Sequence, residues 1–134
     1  MRYGKAAVVK GLLALALSAT AHGEATVTTL ANQGVVISDG TTRVMVDGLV
    51  VESYALYGGL SEEGARLFSN LEGPFADIDL VLVSHRHHDH NQPAYACEFM
   101  RKSLATRLVT SSEVVDLMRE KCRSFVLSSN RIEI

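Results

Sequence analysis

Several things are scarce in this chain of 134 residues, and each scarcity removes a class of protein. The two cysteines, Cys97 and Cys122, are not spaced as Cys-x-x-Cys, so neither a zinc ribbon nor a dithiol redox pair is indicated. An oxidising location permits a disulfide between them, and two small buried apolar side chains is the equal alternative. No Lys/Arg cluster interleaved with aromatics is present to follow a phosphate backbone, which argues against nucleic acid as a partner. Internal repeats and low-complexity tracts are absent, while 47% hydrophobic and 21% charged residues suit one globular domain at most.

The longest apolar run lies near the start and is too short to span a bilayer, which takes about 20 residues. Arg2, Lys5 and Lys10 precede Gly11–Leu17, and the small residues Ser18–Ala21 follow. That order predicts a secretory signal peptide over residues 1–23, cleaved after Ala21 or Gly23, and hence a periplasmic or secreted chain. No cysteine follows the run to carry a lipid, so no stable membrane anchor is expected. Removing those residues takes away three basic groups and no acid, so the net charge of −2 becomes −5 over residues 24–134.

From there the pattern predicts an α/β domain. Ala25–Leu30, Val35–Ile37 and Arg43–Val46 read as short strands, with a turn over Ser38–Thr42, and the third ends in Asp47 before Gly48, a residue that tolerates positive φ. Residues 50–59 suit a loop. Ser61 caps a helix through about Asn70, stopped by Gly73-Pro74. Ile78–Val83 is nearly all apolar, which predicts a strand buried on both faces. Pro93 opens a helix to Lys102, with Tyr95, Phe99 and Leu104 expected against the sheet. Ala105–Thr110 reads as a strand, a helix follows Ser111-Ser112, and Phe125–Leu127 and Arg131–Ile134 read as two more strands. Strand alternating with helix implies parallel pairing.

Directly after the buried strand and Ser84 comes His85-Arg86-His87-His88-Asp89-His90, at the carboxyl end of a core strand where open α/β sheets place ligand sites. Side chains two apart in extended chain share a face, so His85 and His87 are expected to grip one ion. Asp89 and His90 lie where the chain turns, and the economical arrangement puts them on a second ion about 3.5–4 Å away. Imidazole and carboxylate donors without thiolate suit zinc, or iron or manganese. Such an ion lowers the pKa of its water toward ~7, so hydroxide becomes available for hydrolysis without a protein nucleophile. The single Arg86 aside, His88 is read as a spectator facing solvent, and Asp116, in a helix, as a solvated carboxylate.

These residues resemble the His-x-His-x-Asp-His signature of the metallo-β-lactamase superfamily. Gly34–Gly40 and Val44–Asp47 are similar to the family's early strands, and Ala105–Thr110 with Ser112–Val115 to its next strand and helix, so the resemblance covers most of residues 26–134. It implies the amino-terminal half of a four-layer α/β/β/α sandwich over residues 24–134. His85, His87, Asp89 and His90 would be metal ligands, Asp89 would be catalytic as well, and Asp47 would support ligands from behind. The function implied is two-zinc hydrolysis of an ester, lactone, phosphoester or amide bond in a small-molecule substrate, nearest to exported lactonase-like hydrolases. The departure is downstream: the family's remaining ligands lie in its second half, and no histidine follows His90 here. A piece of an active hydrolase, a non-catalytic metal-binding protein and a chain that folds poorly alone are therefore all carried forward, with self-association expected to cover an exposed sheet face.

Overall fold

The computed structural model describes residues 24–122 and 132–133. The expected signal peptide and the strand over Phe125–Leu127 lie outside the described residues. Six strands form one mixed sheet in sequence order: β1 (Thr26–Thr29), β2 (Val35–Ser38), β3 (Arg43–Val46), β4 (Leu80–Val83), β5 (Arg107–Thr110) and β6 (Ile132–Glu133). β1, β2 and β3 pair antiparallel, whereas β3–β4, β4–β5 and β5–β6 are parallel. The helices α1 (Glu62–Asn70), α2 (Pro93–Lys102) and α3 (Ser112–Lys121) fall between the parallel strands or follow them. The chain is thus an α/β unit with a mixed sheet.

The hairpins follow from local chemistry. Asp39 Oδ1 accepts the Thr41 and Thr42 N–H groups at 2.9 and 2.7 Å, and Gly40 takes φ 89°, so the β2–β3 turn is closed by a carboxylate and a residue without Cβ. Those donors hold the Asp39 carboxyl at about 2, with the Thr42 N–H the largest contributor. The Ser61 hydroxyl accepts from Gly64 N and caps α1, and Pro93 sits in the first turn of α2, both as the sequence predicts.

Alternation assigns the faces of the sheet. Val36, Met45, Val81 and Leu108 stand in one cross-strand row and all are at most 2% exposed, packed beneath Phe99, Met100, Val114 and Met118 of the helices. Phe68 joins the cluster, its ring 5.2 Å from Phe75 and 5.6 Å from Phe99. A disulfide between Cys97 and Cys122, Cα atoms 5.7 Å apart, ties α2 to the end of α3 and settles the alternatives the sequence leaves open.

The opposite face corrects one expectation. Ile78–Val83 is not buried on both sides: Val81 and Val83 are buried, but Leu80 and Leu82 are half-buried, and the strand begins only at Leu80. The row Val27, Ile37, Val44, Leu80 belongs to this face, with Val27 63% and Ile37 40% exposed. Leu104 is also corrected. It falls after α2 has ended and is 72% exposed, so only Phe99 and, partly, Tyr95 of that expected trio face the core.

Candidate metal centre

The His85–His90 segment leaves the end of β4 beside the end of β3, because the parallel register sets Val46 against Leu82 and carries both chains on to the same edge. Asp47 N donates to Leu82 O at 2.9 Å, which keeps the two exits together for one residue more. At that point Asp47 takes φ 48°. The sequence suggests Gly48 as the residue of unusual backbone, but the positive φ belongs to Asp47, and the glycine is needed for space: a Cβ there would lie 2.5 Å from Met45 Cγ and 2.7 Å from Leu30 Cδ1.

This turn buries the Asp47 carboxylate and aims it at the loop. Oδ1 accepts the Ser84 N–H at 2.7 Å, while Oδ2 accepts the Ser84 hydroxyl at 2.7 Å and His90 Nδ1 at 2.9 Å. Burial alone raises this carboxyl, but the Ser84 N–H, then the His90 ring and the Ser84 hydroxyl, outweigh it and hold it below the usual carboxylate range.

Ser84 also lies 2.9 Å from His85 Nδ1. Having given its single proton to Asp47, the Ser84 oxygen can only accept there, so the hydrogen-bond network assigns the proton of His85 to Nδ1; His90 donates from Nδ1 to Asp47 in the same way. Both rings are left with Nε2 as the free lone pair, as when a carboxylate or hydroxyl behind a histidine fixes its tautomer for a metal. Ser84 escaped notice in the sequence because its partner is 37 residues away.

The chain then folds over itself, with the His90 and Asn91 N–H groups both bonded to His87 O. The His85 ring ends 3.9 Å from that of His90 and 4.6 Å from that of His87, centroid to centroid, so His90 stands beside His85 rather than apart from it. His90 Nε2 is 3.6 Å from Asp89 Oδ2. That gap lies within the ~4 Å that two donors at about 2.0–2.2 Å from one zinc ion span, so this pair suits a shared ion in donor type and separation. Among the described residues no three His, Cys, Asp or Glu side chains are gathered closely enough to hold an ion. The fit therefore rests on the donor chemistry of His85, His87, Asp89 and His90 and on the two fixed tautomers.

The neighbours sort clearly. His88 is exposed and packs its ring 4.7 Å from that of Tyr54, while Asp116 is 73% exposed and 3.4 Å from Arg119. Gln92 is 2% exposed, and its Oε1 accepts the N–H groups of both Val51 and Glu52 at 2.9 Å while Nε2 donates to Glu52 O. No local signal in the sequence marks it, because the groups it holds lie 40 and 41 residues earlier. No described helix is long and apolar enough to cross a membrane.

No protein-family model matches the chain, and no curated protein matches it.

Proposed function

We propose that the chain contributes the ligand loop of a metal-dependent hydrolase of the metallo-β-lactamase kind, exported to the periplasm or beyond, with His85, His87, Asp89 and His90 as its ligands. The observation that carries this reading is the Asp47–Ser84 pair, which engages Nδ1 of both His85 and His90 and leaves Nε2 of each ring as the lone pair open to a metal. Bound zinc would lower the pKa of water toward ~7 and polarise a carbonyl or phosphoryl oxygen. Asp47 orients the His90 ring and Ser84 the His85 ring, so neither has to reorder when an ion arrives. Asp89, the one carboxylate within the loop, offers its oxygens beside His90 as ligand and as acceptor for a proton of a nearby water.

A second reading, a metal-binding protein without turnover, is favoured by the confinement of the four donors to one six-residue loop. The two part on one experiment: zinc content of the purified full chain by mass spectrometry, with turnover of a lactone and an aryl ester. Stoichiometric zinc lost in His85→Ala and His90→Ala, with turnover lost in Asp89→Ala, supports the hydrolase. Zinc without turnover supports the binding protein. A chain that takes up no zinc, iron or manganese overturns both.

A further inference from the structure

The residues that alternate with the proposed ligands face a second concavity. Arg86 and His88, with Asn91, line a cavity of about 420 Å³ between the start of α2 and the end of α3, whose other walls include Leu117 and Lys121. None of His85, His87, Asp89 or His90 lines it.

Three features show that this cavity lacks a partner for its polar groups. The Asn91 side chain is 0% exposed, and neither its nitrogen nor its oxygen has a hydrogen-bond partner. A buried amide left so costs about 1–3 kcal/mol, a cost that a ligand or water removes. Among the described residues Arg86 makes no ion pair, whereas Lys121 pairs with Glu120 at 3.1 Å and the one carboxylate in the wall, Glu52, already accepts the Tyr95 hydroxyl at 2.6 Å. The remaining surface, from Pro93, Ala94, Leu117 and the Tyr95 ring, is largely apolar.

We infer that the cavity binds a small aliphatic carboxylate, its head held by Arg86, Lys121 and the Asn91 amide and its chain laid along Leu117 and Pro93. Arg86, the cation of the wall with no ion pair among the described residues, selects an anion, Lys121 adds a cation that it shares with Glu120, 3.1 Å away on its own helix, and a planar guanidinium with an amide N–H matches the two oxygens of a carboxylate. The apolar wall selects a chain behind the head, which a bare inorganic anion lacks. The site stands independently of the metal reading, because it uses the other side of the loop and no ion.

The test titrates hexanoate, hexanamide and inorganic phosphate into the full, disulfide-bonded chain and follows backbone amide NMR shifts. Hexanoate is expected to saturate with shifts at residues 91–95 and 117–121, and hexanamide and phosphate to bind at least about tenfold more weakly. Lys121→Ala removes a side chain that is 55% exposed, so the fold is kept, and it is expected to weaken hexanoate about tenfold and leave hexanamide unchanged. Asn91→Leu should abolish binding without lowering the Tm, since its amide makes no hydrogen bond in the free protein. Equal affinity for hexanoate and hexanamide, shifts elsewhere only, or an unaltered hexanoate affinity in Lys121→Ala would overturn the assignment.

Discussion

The two faces of the sheet carry nearly the same kinds of side chain and live in different surroundings. On one, Val36, Met45, Val81 and Leu108 lie at most 2% exposed under three helices; on the other, Val27, Ile37, Val44 and Leu80 range from half-buried to 63% exposed. Composition does not distinguish them. What does is the route of the chain, because every crossover among the described residues that links parallel strands returns over the same face. The lesson is that an apolar strand announces what it could bury, and the connections decide what it does bury.

The sharpest way to break that contrast is a deletion under the helices. Phe99→Ala should cost about 3–5 kcal/mol, read from urea unfolding, because the ring is wholly enclosed against Phe68 and the sheet. A loss of less than about 1 kcal/mol would mean that the covered face is no tighter than the open one. The next effect lies at the strand ends, where Asp47→Ala leaves the Ser84 N–H without its acceptor and should cost about 1–3 kcal/mol. In zinc titrations the same variant should bind about 10–100-fold more weakly, as the His90 ring loses its anchor. Smaller still, Ile37→Thr on the open face should stay within about 0.5 kcal/mol of the parent, and a large loss would show that something covers that face in solution.

The smallest effect is one of pH. Asp39 titrates at about 2 in the folded chain against 3.8 ordinarily, so the stability it adds is present above 3.8 and lost as pH falls toward about 2. Carboxyl NMR of Asp39, with Tm followed over the same range, checks this. In Asp39→Asn that part of the acid slope should vanish.

Much of the frame was legible because its signals are local. The Ser61 cap, Pro93 at the head of α2 and the Asp39-Gly40 turn each act within a few residues, and the structure has them where the sequence puts them. The misreadings involve distance. Leu80 and Leu82 look fully buried in sequence, since a continuous apolar run cannot say that the described helices pack on one face of the sheet alone. Leu104 was expected to extend the Tyr95–Phe99 stripe, but it stands five residues beyond Phe99, off that face, and α2 ends at Lys102. At the candidate site the grouping of His85, His87, Asp89 and His90 in one loop is plain in the sequence, and its supports are so only in part: Asp47 was expected behind the loop, whereas Ser84, Gln92 and the Tyr54–His88 contact join parts of the chain about 35–40 residues apart.

Gln92 has a consequence for how this protein could diversify. By seizing two successive N–H groups at Val51 and Glu52, while Leu60 N returns to Val51 O and Gly59 N to the Ser53 hydroxyl, it pins both roots of the segment that displays Tyr54, Leu56 and Tyr57. Leu56 at the tip is 100% exposed. A segment rooted at both ends is a cassette: doubling its length costs only about 0.6 kcal/mol of closure entropy, and its composition can change without disturbing the sheet. Descendants of this chain could therefore rewrite what overhangs the histidine loop while the loop itself stays where β4 puts it.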